Sequence, residues 1–332
     1  MSKPQKTRIH TILTHFGFQF DEGLAMFLLT QFGEEKYPGV SNAEVVYLRT
    51  LRLHEGDTAE SLEAEGILCV GVGGGKFDEH ATDDAPAKEG DCAATLVAKH
   101  LGIANDPALR GLLAYAYHCD TETGVSQYEI AAAMKAMQDL WPDEPQRILD
   151  WLFAYLLALR ADQREYRLAI PIFDKEEETI DVRAEWGDGN PCTMATVISS
   201  NTKLVRVAFS SKNRRSILVQ QNPKTGQVQI YTNKAHRVVL LAVAAALRLE
   251  EAKCAGRDVS NEKPEDWEYE GTVRGDDRWF YFKKGEMLFN GSKTRPDVPP
   301  TRIPLEVILE IVAQKAFCEA IFTDEVPEDA SL

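Results

Sequence analysis

Up to Val72, apolar strand-like runs alternate with helix-like ones, and this alternation narrows the architectures open to the chain more than any other stretch. Arg8 to Thr14 (RIHTILT) reads as a strand that stops at His15 and Gly17. Asp21 to Gln31 (DEGLAMFLLTQ) follows, with Leu24, Phe27, Leu28 and Gln31 at helical spacing and two acids in its first turn. Ala43 to Arg49 reads as a second strand, and TAESLEAE opens a helix at Thr58. Ile67 to Val72 is then continuously apolar, the texture of a buried parallel strand. Strand, helix, strand in succession implies a parallel sheet covered by helices, which collects ligands at the C-terminal ends of its strands. His15 and Gly71 to Gly75 fall at or just past two such ends.

Residues 91–160 read as mostly helical. The segment QRILDWLFAYLLALR, apolar on nearly every side until Arg160, reads as a buried connecting helix. From Tyr166 onward β-branched runs and turn signals take over: AIPIF, TIDVRAEW, SILVQQNPKTGQVQIYT and WFYFKKGEMLF read as strands, with a hairpin turn at Asn222 to Gly226. Helices are expected at 234–253 and 305–322, and a frayed acidic tail after Thr323. The fold class is therefore α/β, with a parallel-sheet domain over 1–165 and a smaller α+β domain over 166–332.

Composition excludes several classes. A hydrophobic content of 44% in 332 residues is enough to build packed cores. The longest apolar run, Val238 to Leu247, falls well short of the ~20 residues a membrane-spanning helix needs. The basic start MSKPQKTR leads into no apolar signal region, and the cysteines form no close CxxC pair, so a cytoplasmic protein with reduced thiols and no membrane partner is expected. Cys69, in a strand, and Cys119, beside Asp120, show no arrangement that marks a nucleophile. The net charge of −15 argues against a broad nucleic-acid-coating surface. Its distribution is uneven: residues 201–250 hold nine Lys or Arg against one acid, Glu250. Such a segment serves either as a contact for a polyanionic substrate or as an ordinary solvated face.

Three polar constellations sit on the strand ends. His15, Asp21 and Glu22 fold imidazole and carboxylate over one end, a donor set suited to Mn, Fe, Zn or Mg; the simpler reading has Asp21 at a helix N-terminus and His15 in a loop. Gly71 to Gly75 permit close backbone approach, and Asp78, Glu79 and His80 follow as a compact ligand-type cluster. Asp120, after His118 and Cys119 at the end of an apolar helix, needs a partner that a metal or an arginine would supply.

In order and spacing these motifs resemble the Myg-one family of predicted metal-dependent hydrolases, within the DHH-type phosphoesterase clan. The likeness runs through THxG…DE, the glycine-terminated strand, Phe77-Asp78-Glu79-His80, GDCAATLVAKHLG, WFYF and Asn290-Gly291-Ser292-Lys293-Thr294. The resemblance implies a DHH-like fold and a divalent-metal site for Mn or Mg. His15, Asp21, Glu79 and Asp120 would serve as metal ligands, Asp78 and His80 as catalytic groups, and Asn290, Gly291, Ser292, Lys293, Thr294 and Arg295 would bind substrate. The chain departs from the family at Gln19, which stands at a ligand position, at Gly71, which stands where a bridging Asp is usual, and at Glu79, which replaces a His. One ion rather than two is therefore expected. The activity implied is hydrolysis of a phosphodiester in a nucleotide, oligonucleotide or RNA end. The alternative is a degenerate member that binds an anionic ligand or a protein partner. A homodimer is a further expectation.

Overall fold

In the computed structural model of the protein, which describes residues 6–50, 52–81, 86–121, 126–182, 192–273 and 276–318, the early alternation folds as a parallel sheet. Thr11–His15 (β1) is central and pairs in parallel with Glu44–Leu48 (β2) and Ile67–Cys69 (β3), with Leu13 opposite both Val46 and Cys69. The strand β3 is shorter than its apolar run. Pairing with β1 ends where Val70 N–H donates to the Leu13 carbonyl (2.9 Å), and the chain then turns through Gly71. Between the strands lie Phe20–Phe32 (α1) and Ala59–Ala64 (α2), the latter capped by Thr58, whose hydroxyl accepts from Ser61 N–H at 3.1 Å.

The helix α1 is buried from Phe20 to Leu29, which requires apolar neighbours on several sides. Ala93–Leu101 (α3), Arg110–Thr121 (α4) and Ile130–Leu140 (α5) help supply them. The small residues Ala93, Ala94 and Ala98 of α3 let it approach α1 closely, so the GDCAATLVAKHLG stretch acts partly as a packing surface. The next helix, Pro145–Glu176 (α6), is longer and less buried than expected. Ile148, Leu149, Leu152 and Leu156 form one buried stripe, while Trp151, Tyr155 and Leu157 are exposed. Nor does the helix stop before Tyr166: Ala169 to Phe173, expected as a strand, is its last turns, with Ala169 and Phe173 wholly buried and Pro171 exposed.

The chain divides into two compact units, Met1–Gln163 and Arg164–Leu332. They are near-equal in length, and the second is not the smaller domain expected. It holds a seven-stranded mixed sheet in the order β4-β5-β6-β7-β11-β10-β9. Its strands are Glu178–Asp181 (β4), Thr193–Ile198 (β5), Ile217–Gln221 (β6), Val228–Thr232 (β7), Gly271–Val273 (β9), Asp276–Phe282 (β10) and Met287–Phe289 (β11). The two-residue strands Val238–Val239 (β8) and Phe317–Cys318 (β12) pair separately. All pairs in the large sheet are antiparallel except β5 with β6, which are joined through the short helix Leu204–Ala208 (α7). Both faces are covered, which explains the unbroken apolar run in β6. Ile217 and Val219 face the core that includes Leu241–Cys254 (α8) and Leu305–Lys315 (α9), whereas Leu218 faces the one built on Ala169 and Phe173.

The expected hairpin at Asn222 to Gly226 joins β6 to β7 as read. The helix expected at 234–253 begins only at Leu241, after a 3-10 turn and β8, and the one expected at 305–322 ends at Lys315. Residues 183–186 of the TIDVRAEW segment and the tail after Thr323 lie outside the described residues. Among the described residues, no helix is long and apolar enough to cross a membrane. Part of the basic set of 201–250 is engaged within its own unit. Lys212 pairs with Asp174 (3.4 Å) and Arg215 with Glu177, while the buried Arg248 donates to the carbonyls of Trp267 (2.8 Å), Tyr269 (2.9 Å) and Gly271.

Candidate functional site

Parallel strands end with carbonyls and loops at one edge of the sheet, and the first unit gathers its polar groups there. His15 closes β1, and the chain crosses Gly17 to Gln19 before α1 begins. Asp21 and Glu22 therefore stand in the first turn of a buried helix, 1% and 2% exposed. Glu22 accepts from His15 Nε2 (2.9 Å) on one oxygen and from the Gln19 backbone N–H (2.6 Å) on the other. Asp21 accepts from Ala93 N–H at 3.2 Å, the first residue of α3. Asp21 thus does interact with a helix N-terminus, though that of a neighbouring helix.

On the other side of the edge, the glycines after β3 fold the segment back on itself. Gly71 N–H donates to the Phe77 carbonyl (2.9 Å), and Gly74 N–H donates to Asp78 Oδ2 (2.7 Å). Lys88 fixes the same loop from outside, donating to the carbonyls of Gly75 and Asp78. Asp78 Oδ1 in turn holds the His80 ring through Nδ1 at 2.9 Å, leaving Nε2 for another partner; the His80 side chain is half exposed. Glu79, between them, points inward.

The result is a knot of carboxyl groups. Ligand atoms of Asp21, Glu22 and Glu79 all lie within 4.8 Å of one another, as do those of Asp78, Glu79 and His80, so Glu79 belongs to both groups. Glu79 is 7% exposed, yet among the described residues no other residue gives either of its oxygens a hydrogen bond. His80 Nδ1, at 3.6 Å, is near enough for charge attraction only. A buried carboxylate without donors is costly, and protein interiors satisfy nearly all such groups.

The electrostatics follow from this crowding. Burial pushes Glu79 up to about 7 against the opposing pull of its own backbone N–H and of His80, with the charges of Glu22 and Asp120 adding to the rise. Asp21 is raised well above the carboxylate range by burial first, then by Glu22, Glu79 and Asp120. Burial and the charge of Glu22 raise Asp120 as well. For Glu22 burial works the other way, but hydrogen bonding and charge from His15 prevail and hold it below its ordinary value. His80 is likewise opposed by burial and raised on balance by Asp78 and Glu79.

The four expected metal ligands thus fare differently. Asp21 and Glu79 are in the tight cluster. His15 reaches it through Glu22, and Asp120, at the end of α4, acts on it by charge from outside. Glu22, read with His15 and Asp21 as a donor at the first strand end, is missing from the ligand set that the resemblance implied, and it stands in the cluster. Its signal lay beside Gly71, where an ideal Cβ would stand 2.6 Å from Glu22 Cγ and 3.0 Å from its Oε1, on a backbone with φ +64°. The space in which a side chain at position 71 would lie is filled by the Glu22 carboxylate.

The expected substrate residues belong to the second unit. Asn290 is fully buried, and its amide is spent on the carbonyls of Arg278 and Pro299 and on Thr301 N–H. Gly291, at φ +78°, lies against the Gln227 amide. Ser292 and Thr294 share a hydrogen bond (2.9 Å), Lys293 is exposed, and Arg295 pairs with Asp277. Gly291, Ser292, Thr294 and Arg295 border a small cavity of about 240 Å³ floored by Phe280 and Phe289. Comparison with protein-family models, with curated proteins and with solved structures yields no match.

Proposed function

We propose that the first unit is a metal-dependent phosphoesterase whose divalent ion, Mn or Mg, is held by Asp21, Glu22 and Glu79. The observation that carries this reading is the orphaned Glu79 carboxylate, buried within ligand distance of two further acids. A hard cation bound by oxygen donors is the partner that such a group lacks. Donor chemistry fits: the cluster is all carboxylate, which favours Mg or Mn over softer metals. When bound, the ion supplies positive charge and Lewis acidity for a phosphoryl oxygen.

The remaining residues have roles their geometry supports. His15 orients Glu22 through Nε2, and Gln19 N–H fixes its second oxygen. Asp78 orients His80 so that Nε2 is left to contact a phosphate oxygen or the departing group. Asp120 adds negative charge that favours a cation at the cluster.

Charge also bears on the alternative of a metal-free anion binder. Residues 1–163 contain 13 Lys or Arg against 25 Asp or Glu, and the strand-end site adds buried acids to that excess. An anion would be repelled from this edge unless a cation were present. The test is Mn-dependent hydrolysis of bis(p-nitrophenyl) phosphate. The wild type should release nitrophenol only with added Mn or Mg, and Asp21→Asn and Glu79→Gln should lose about 100-fold or more. Equal activity in the variants would overturn the assignment.

A further inference from the structure

One end of the seven-stranded sheet is basic, and it lies wholly within the second unit. The residues before β6, the turn after β7 and the turn between β10 and β11 meet there. Asn233 N–H donates to the Ser216 carbonyl (2.9 Å), and Thr232 Oγ1 donates to the Glu286 carbonyl (2.8 Å). Arg214, Lys234, Arg237, Lys283 and Lys284 are exposed on these segments, and none has an ion-pair partner among the described residues. The acids close by are engaged or displaced: Glu177 holds Arg215, Asp174 holds Lys212, and Asp181 ends β4, on the far side of β5 from β6. The backbone is strained at the same place. Among the described residues, Arg214 (φ +47°), Arg237 (φ +45°) and Glu286 (φ +46°) are the non-glycine residues in the left-handed region. Glu286 has a packing reason, since its carboxylate accepts from the Tyr281 hydroxyl (2.8 Å) and from Leu240 N–H (2.7 Å). The two arginines have no such contact, and strain of this kind concentrates where a surface is used.

The chain itself supplies the opposite charge. β12 runs antiparallel to β8, pairing Phe317 with Val239 and Cys318 with Val238, so at Cys318 its direction is toward Arg237. Residues 319–332 follow, outside the described residues, and hold Glu319, Asp324, Glu325, Glu328 and Asp329 but no Lys or Arg. We propose that the basic edge is the docking surface of this chain's own acidic C-terminal segment, residues 319–332. Its length suffices: fully extended it reaches about 45 Å, against about 14 Å across the strands from β6 to β10. An exposed ion pair is weak alone. Here the tether at β12 gives the acids a high effective concentration at the edge, so several weak pairs act together. The proposal is independent of the metal site in the first unit.

The experiment is carbodiimide coupling of the full chain at low salt, which joins a lysine amine to a carboxylate in contact with it, with the links mapped by mass spectrometry of the monomer. Lys234, Lys283 and Lys284 should link to the acids of 319–332 about fivefold or more above Lys253 and Lys293, which are exposed elsewhere in the same unit. Arg214→Glu combined with Arg237→Glu keeps every lysine and should cut those links about fivefold or more, as should about 1 M salt. Links spread evenly over exposed lysines, links confined to a dimer, or yields indifferent to the arginine substitutions overturn the proposal. A second measurement titrates a labelled single-stranded DNA dodecamer into the wild type and into a full-length variant with all five acids of 319–332 changed to their amides. The variant should bind it about fivefold or more tighter. Equal binding would show an edge open to nucleic acid and would overturn the proposal as well.

Discussion

Replacing Glu79 with glutamine keeps the shape of the side chain and removes its charge, and without metal the variant should be the more stable protein. Glu79 is 7% exposed, so solvent screens it little, and its carboxyl titrates at about 7 against an ordinary 4.5. Because the folded value lies above the unfolded one, Glu79 costs nothing while protonated in both states. The cost grows as pH rises past 4.5 and is complete above about 7. At about 1.4 kcal/mol per unit, it reaches up to about 3 kcal/mol. A neutral glutamine never incurs it. In EDTA the two proteins should unfold together below about pH 4.5, and the variant should gain roughly 6–12 °C by mildly alkaline pH, at the 2–4 °C per kcal/mol usual for a unit the size of Met1–Gln163. Thermal unfolding across a pH series measures this directly. Added Mn should then narrow that gap, stabilising the wild type by more than Glu79→Gln at every Mn concentration. A variant that tracks the wild type at every pH in EDTA would show that Glu79 is solvated and would refute the reasoning.

Other substitutions probe the frame around the site. Gly71→Ala places a methyl 2.6 Å from Glu22 Cγ at φ +64°, so it should cost about 2–4 kcal/mol by urea denaturation and abolish Mn stabilisation. Gly111→Ala, in α4 with nothing within 4 Å, should instead stabilise by up to about 1 kcal/mol in the same assay. Asn290→Ala removes three buried hydrogen bonds and should cost about 2–4 kcal/mol while leaving Mn affinity unchanged, as expected of a residue that holds its turn. Glu251→Ala should be at least as damaging, about 3–5 kcal/mol. It leaves Arg302 without its carboxylate and strips a buried acceptor from Trp279 and Thr301.

The first unit was legible where local pattern and tertiary environment agree. β1, α1, β2 and α2 fall where apolar spacing placed them: β1 and α1 are largely buried, α2 buries Ala59 and Leu62, and β2 is partly buried at Val45, Tyr47 and Leu48. Reading failed where long-range packing overrides local preference. Ala169 to Phe173 has strand-like composition and a proline, yet continues α6 because Ala169 and Phe173 fill a core against β5 and β6. The parallel pairing of β5 with β6 has no local signature, since it depends on a crossover. In the segment 201–250, the acids that pair with Lys212 and Arg215, Asp174 and Glu177, lie outside the window and so were not visible in its charge count.

The site divides along the same line. Asp21, Asp78, Glu79, His80 and Asp120 stand out as polar residues at strand and helix ends. Glu22 stands with His15 and Asp21 among the donors of the first strand end, but the ligand set that the resemblance implied left it out. Its importance comes from the empty Cβ position of Gly71, far away in the chain. A glycine at a strand end reads as a lost ligand in sequence and as room for a different one in three dimensions.

The central claim is that Asp21, Glu22 and Glu79 together hold a divalent cation. Calorimetric titration of EDTA-stripped protein with Mn tests it most directly, using the wild type, Glu22→Gln and Glu79→Gln. Asp91→Asn, whose carboxylate pairs with Lys99, serves as the control. The account predicts stoichiometric binding by the wild type and the control, weakened about tenfold or more in both cluster variants. Binding that is absent from the wild type, or equal in all four proteins, would contradict it.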